Sequence, residues 1–383
     1  MTEAAPHRLW IERLRLSDFR NYASLSLDLD HRPVVLTGPN GAGKTNLLEA
    51  VSLLAPGRGL GRAPFTDMIR RGAGGGWAVN ARLNCLDGLV EIGTGFTGSQ
   101  ETAARTVRLN GEPVRGTAVL GEHVRAVWLT PSMDGLFAGS PGERRRFLDR
   151  LIQSLDPGYR RCAGHFERAM RQRNKLLETG ETATALYAGL EMQMAETGVA
   201  MAAARLDTVT RLKALAGPKE SGESPFPWAT LALEGLLEQR LENAAAVDVE
   251  DVYREVLAAG RNRDRAARRT LDGPHRSDLV VGHGPKAAPA RSCSTGEQKA
   301  LLIGLVIAHA RLIKQQHGDH APLILLDEIV AHLDEARREG LFGEIERLGA
   351  QAWMTGTDAA HFAVLGEKAQ HLGIEKGGVS PQI

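Results

Sequence analysis

A chain of 383 residues, 43% of them hydrophobic, can bury a sizeable core and is long enough for two domains or one domain with a large insertion, which excludes a disordered or fibrous protein. The formal net charge is only +1, so any affinity for nucleic acid must come from local clustering of cations and not from the overall balance. Of 47 basic residues nine are lysine, a bias that an arginine-rich genome produces without functional cause, so arginine abundance carries no argument by itself.

Cys85, Cys162 and Cys293 are widely separated and odd in number, which fits neither a disulfide framework nor a zinc-ligand pattern. The N-terminal MTEAAPHRLWIERLRL mixes acidic and basic residues and lacks the apolar core of a signal peptide. The longest strongly apolar run, Ala300 to Ala310, is too short to cross a bilayer, which takes roughly 20 residues. These readings predict a soluble, cytoplasmic protein with no membrane partner.

Residues 9 to 37 alternate apolar and polar positions around turn-like breaks and predict three short strands, LWIERLRL, FRNYASLSLDL and PVVLTG. After the GPNGAGKT loop, Leu47, Leu48, Val51 and Leu54 have helical spacing, so this region reads as strand, loop, helix. Residues 77 to 111 alternate again and end in the turn signal Asn110-Gly111, as a small antiparallel sheet would. At Ser140 the character changes: SPGE reads as an N-cap serine, a proline at the first helical position and a capping-box Glu143. Phe147, Leu148, Leu151, Ile152 and Leu155 then make one apolar face, and helical segments continue to about residue 215, with a hairpin at ETGET. Residues 217 to 228, rich in Gly, Pro and Ser, read as a linker. From Val252 a further helix runs into RNRDRAARR, the loop GPHRSDL follows, and CSTGEQKALLIGLVIAHARLI predicts a helix with a serine at its start and an acid in its first turn. PLILLDE is continuously apolar and ends in two acids, as a strand buried on both faces of a parallel sheet does.

Three motifs carry chemistry. Gly38-Pro39-Asn40-Gly41-Ala42-Gly43-Lys44-Thr45, followed by Asn46, matches the phosphate loop G-x-x-x-x-G-K-[ST] between a strand and a helix. Its glycines let backbone N–H groups close on phosphate oxygens, Lys44 reaches the terminal phosphates, and the Thr45 hydroxyl can ligate Mg²⁺. At the end of LILLDE, Asp327 would hold the metal through water and Glu328 would orient the attacking water of an in-line displacement. Ser294-Thr295-Gly296-Glu297-Gln298 opens a helix, and a helix N-terminus with a serine hydroxyl and an uncovered glycine backbone is an anion site. Standing alone it would read as a simple N-cap.

FRNY, GPNGAGKTNLLEA, SPGERRRFLD, GPHRSDL, STGEQKALL and LILLDEIVAHLD together resemble the RecF family along nearly the whole chain, within the structural-maintenance-of-chromosomes ATPases. The resemblance implies an α/β fold: an ABC-like P-loop ATPase head in two parts, 1–130 and 271–383, with an inserted helical lobe, 131–270, like a much shortened coiled-coil arm. It also implies ATP and Mg²⁺ as ligands and a homodimer that closes on duplex DNA with ATP bound and opens on slow hydrolysis. Lys44, Thr45, Asp327 and Glu328 would act in cis, Ser294 and Gly296 would touch the γ-phosphate in trans, and Asp334 would lie in the adjoining D-loop. Expected partners are gapped or junction DNA and the RecR and RecO proteins. Two places depart from the family pattern. PGRGLGR stands where a Ser-His-Arg-like segment is usual, so Arg58 and Arg62 receive no role. WMTGTD offers Thr357 or Asp358 where many ABC ATPases have a switch histidine, with His361 three residues late, and Asp358 is favoured.

From Ala138 to Lys175 there are ten basic and four acidic residues, and Arg261 to Arg269 adds five basic residues against Asp264. Arg144, Arg145, Arg146, Arg150, Arg263 and Arg265 are therefore candidate phosphate contacts, against the alternative of a solvated helix face. Two other classes compete with the repair reading. A transporter ATPase is compact, whereas Ser294 lies 249 positions after Thr45 here, and a convincing Gln loop is missing. An ATPase-linked nuclease needs a further acidic metal cluster, and no suitable spacing follows Asp358.

Overall fold

The computed structural model describes residues 8–61, 63–85, 88–97, 105–218 and 224–382. The N-terminal segment holds β1 (Trp10–Phe19), β2 (Tyr22–Asp28), β3 (Val34–Thr37), α1 (Lys44–Ser52), β4 (Trp77–Cys85), β5 (Gly88–Phe96), β6 (Thr106–Leu109), β7 (Glu112–Val114), the single turn α2 (Leu120–His123) and β8 (Ala126–Leu129). The middle holds α3 (Pro141–Leu155), α4 (Pro157–Thr179), α5 (Thr184–Ala216), β9 (Ala229–Glu234), α6 (Leu236–Leu241), α7 (Ala246–Ala259), α8 (Arg261–Ala267), β10 (Asp278–His283) and β11 (Ala288–Pro289). The C-terminal segment holds α9 (Thr295–Gln316), β12 (Leu323–Leu326), α10 (Glu335–Leu348), β13 (Ala352–Gly356), β14 (Gln370–Glu375) and β15 (Gly378–Pro381).

By packing, the described residues fall into one unit of 8–134, 224–226 and 306–382 and another of 135–218 and 227–305. The second boundary lies inside α9 and not at 270. The cause is a three-stranded antiparallel sheet, β11-β10-β9, whose pairing of β10 with β9 keeps residues up to the start of α9 with the helical elements. Of the expected linker at 217–228, residues 219–223 lie outside the described residues.

The first unit is built on two sheets. One is antiparallel, in the order β2-β1-β4-β5-β6-β7; the other runs β15-β14-β3-β13-β12-β8, parallel except for β15. β3 leaves the hairpin that precedes it because all four of its residues are buried, which suits a strand covered on both faces, while β1 and β2 alternate between core and solvent. One apolar core takes Leu14 and Val79 from the antiparallel sheet, Leu36, Leu325 and Trp353 from the parallel one, and Leu47, Leu48 and Val51 from α1. Burial on that scale fixes α1, and with it the loop before it, against rigid strands.

In the second unit Ser140 and Glu143 make the reciprocal capping box that opens α3. The α4–α5 hairpin turns at Gly180, which has φ 73°. Two buried arginines cross-link the helices. Arg173 bonds Glu191, Asp264, the Thr270 hydroxyl and the Leu257 carbonyl; Arg205 bonds Asp149 and the Pro274 carbonyl. With partners on each cation, the arrangement avoids the cost of an uncompensated buried charge. Among the described residues, no helix is long and apolar enough to cross a membrane.

Candidate functional site

β3 delivers the chain into the phosphate loop with left-handed or otherwise glycine-only backbone at Gly38 (φ 148°), Gly41 (φ 79°) and Gly43 (φ 117°). The three glycines have different reasons. A Cβ at Gly38 would overlap the Ile374 carbonyl of β14, one at Gly43 would press on Asn21 and on the Tyr22 hydroxyl, and one at Gly41 would meet nothing within 4 Å. Space is thus open where a ligand would approach and closed where the loop rests on protein. Pro39 and Ala42 are joined across the loop by Ala42 N–H donating to the Pro39 carbonyl (3.2 Å), and Asn40 is exposed at its tip.

The β1–β2 turn fastens this loop from below, a role that sequence reasoning missed. Asn21 donates to the Ala42 carbonyl (3.0 Å), Asn46 donates to Asn21 (2.8 Å), and the Tyr22 hydroxyl donates to the Gly43 carbonyl (3.0 Å). Burial pushes the Tyr22 phenol far above its ordinary value, so it stays a protonated donor. Arg20 makes a two-point bond to Glu49 of α1 and a third to the Asp67 carbonyl. FRNY carried this information only as a family signature, because the contacts join residues 21 and 42 through tertiary packing.

Lys44 is buried and folds over the loop, its ammonium donating to the carbonyls of Gly38 (2.7 Å) and Pro39 (3.0 Å). Burial lowers its pKa, and the charges of Glu328 and Asp327 oppose that shift. The Thr45 hydroxyl lies 2.9 and 3.1 Å from the two carboxylate oxygens of Asp327 at the end of β12. A hydroxyl and a carboxylate converging beside a lysine suit a hard divalent cation held next to phosphate oxygens. Glu328 follows in the left-handed region (φ 53°), and its N–H donates to the Thr355 hydroxyl on β13 (2.8 Å).

Asp358 does not join this group through its described bonds. It is exposed and caps the following 3₁₀ segment by accepting from Ala360 N–H (2.8 Å). Thr355, three residues earlier and fully buried, is the residue of WMTGTD bonded to the acids. The contact comes from within β13 and not from the residues beyond the strand. Asp334 caps α10 by accepting from Arg337 N–H (2.8 Å). Arg58 lies over the Phe65 ring at 5.4 Å, and Arg62 lies outside the described residues.

In the second unit Ser294 and Gly296 are both exposed at the start of α9, and a Cβ at Gly296 would meet nothing within 4 Å. Ser294 N–H donates to Glu297 (3.0 Å), the Ser294 hydroxyl accepts from Glu297 N–H (3.4 Å), and the same hydroxyl also bonds the Glu297 carboxylate. Lys286 bridges Glu297 at 2.5 Å, and these contacts hold the Glu297 carboxyl down at about 2.

Several of the arginines expected to face DNA also bond within the unit. Arg144 forms a two-point bond with Asp278 (2.8 and 2.7 Å) and donates to the carbonyls of Phe137 and Gly139; Arg145 donates to the Ser277 carbonyl (2.6 Å). Arg150 lies over Phe147, Arg263 pairs with Asp272, and Arg265 is half-buried against Asn262 and the Glu181 carbonyl. Arg146 is exposed. A charge count along the sequence does not separate cations that close the fold from those that face water.

The profile of the RecF/RecN/SMC N terminal domain matches residues 10–376. The chain belongs to this family. Within the family it is 55% identical over 378 residues to the DNA replication and repair protein RecF of Rhizobium rhizogenes, covering 98% of this chain and 99% of that protein. It is 53% identical over 376 residues to the RecF of Mesorhizobium japonicum, with the same coverage. A solved structure of the recombination mediator protein RecF with ATP superposes with a TM-score of 0.86 at 20% identity over the whole of both chains. The Smc head domain from Pyrococcus furiosus gives 0.56 at 17% identity over 98% of this chain and 96% of that one. The RecF fold, an ABC-like ATPase head with an inserted helical lobe, is therefore the fold of this chain.

Proposed function

We propose that this chain is an ATP-switched DNA repair protein that works as a homodimer, each copy supplying part of its partner's nucleotide pocket. The single observation that carries the reading is the division of the site. Lys44, Thr45, Asp327 and Glu328 converge around an open phosphate loop, while Ser294 and Gly296, on the other packing unit, are exposed with free space above the helix N-terminus. Two half-sites of this kind are complementary when two copies meet about a twofold axis, each phosphate loop facing the start of the other copy's α9.

In this account Lys44 exchanges the Gly38 and Pro39 carbonyls for phosphate oxygens, and the loop N–H groups hold the β-phosphate. Thr45 and Asp327 are the residues that would hold Mg²⁺, which when bound neutralises charge developing on the phosphates. Glu328 orients water for attack, and Ser294 and Gly296 of the second copy donate to the γ-phosphate. Hydrolysis removes the group bridging the two copies and so opens the dimer. The RecF relatives' role in DNA replication and repair supports duplex and gapped DNA as the substrate, with RecR and RecO as partners.

Because ATP and DNA would both favour the closed dimer, each must strengthen the other's binding by the same factor. Anisotropy titrations of gapped DNA with and without a slowly hydrolysed ATP analogue, and of the analogue with and without DNA, measure both sides. Equal factors above one support the reading. DNA affinity indifferent to nucleotide overturns it.

A further inference from the structure

We infer that Thr355 is a positioning residue for ATP hydrolysis, one buried hydroxyl setting both the metal-side carboxylate of Asp327 and the main chain of Glu328. The inference rests on the nucleotide-hydrolysis reading above and adds a residue to it. Thr355 is fully buried near the end of β13, beside β12 in the parallel sheet. Its hydroxyl has one proton, which goes to Asp327 Oδ1 (2.9 Å), and a lone pair that accepts from Glu328 N–H (2.8 Å).

The second bond matters because Glu328 has φ 53°, a conformation that a glutamate adopts only when its surroundings hold it there. Thr355 supplies a bond to the N–H of that residue. The first bond matters because Asp327 also accepts from the Thr45 hydroxyl. If Thr45 turns towards a metal ion, Thr355 is the hydroxyl that stays on Asp327 and keeps its orientation. A purely packing role would need the methyl group of Thr355; the positioning role needs its oxygen.

Two variants separate these. Thr355→Val keeps the shape and removes the hydroxyl, and Thr355→Ser keeps the hydroxyl and removes the methyl. Thr355→Val should lose kcat for ATP by on the order of 10²-fold, the range for a mispositioned general base. Its KM for ATP should move by less than about threefold, and Mn²⁺ binding with a non-hydrolysable nucleotide, read by electron paramagnetic resonance, should weaken. Thr355→Ser should restore kcat to within about threefold of the parent. If Thr355→Val does not fold, Thr355→Ala carries the same comparison. Parental kcat in Thr355→Val, or a Thr355→Ser as impaired as Thr355→Val, overturns the role of Thr355 alone. A parent chain that neither binds nor hydrolyses ATP overturns the nucleotide reading on which it rests.

Discussion

Replacing Tyr22 by Phe tests whether the β1–β2 turn keeps the phosphate loop ready for nucleotide. The ring is fully buried and stays in place, so the change removes one hydrogen bond, from the phenol to the Gly43 carbonyl at 3.0 Å. That carbonyl also accepts from Leu47 N–H (3.1 Å), so it is not left unpaired, and the loss is that of an ordinary bond, about 0.5–1.5 kcal/mol. If the whole loss falls on the nucleotide-ready geometry, the Kd for ATP weakens by at most about tenfold, since about 1.4 kcal/mol is one decade. The effect should not vary with pH, because burial keeps the phenol protonated. Titration with a fluorescent ATP analogue reads the affinity, and a urea midpoint read in parallel gives the stability. Unchanged affinity and midpoint together would refute the clamp, and a loss of several decades would mean that the phenol does more than hold the loop.

Arg144→Ala should destabilise the second unit by about 2–3 kcal/mol, because it strips charged hydrogen bonds from Asp278 and two carbonyls, while the salt dependence of DNA binding stays as it was. Arg146→Ala should do the reverse, leaving the thermal midpoint alone and reducing the salt slope by about one if this exposed cation meets a phosphate. Glu297, whose carboxyl lies at about 2 instead of the ordinary 4.5, contributes stability that is complete above 4.5 and is lost as the pH falls towards 2. Glu297→Gln should therefore flatten that part of the acid-unfolding curve followed by circular dichroism, and an unchanged curve would show that the Ser294 cap does not depend on the charge.

The sequence made the nucleotide half of the site legible because a phosphate loop is local. Eight consecutive residues, a strand before and a helix after define it, and the structure brings Lys44 and Thr45 to Asp327 and Glu328 across 282 or more residues of chain. The apolar run before the acids likewise announced a strand buried on both faces, and β12 lies between β13 and β8. What was not legible depends on which residues meet. Asn21, Tyr22 and Thr355 act by reaching a backbone group or a carboxylate on another strand or loop, and nothing in their own neighbourhood marks them. The same limit applies to the cations: Arg144 and Arg263 lie in basic runs, and their partners Asp278 and Asp272 lie outside those runs. β9 and β10 were not legible because their sheet forms only by pairing residues 229–234 with 278–283, segments far apart in the chain.

Sedimentation velocity of Glu328→Gln, with and without ATP, tests the shared pocket most directly. The substitution keeps the size of the side chain and removes the carboxylate proposed to orient water, so bound triphosphate should persist. The account predicts a monomer without nucleotide and a stable dimer with ATP, reversed to monomer by adding Ser294→Arg in the same chain. A Glu328→Gln protein that binds ATP and sediments as a monomer would contradict it.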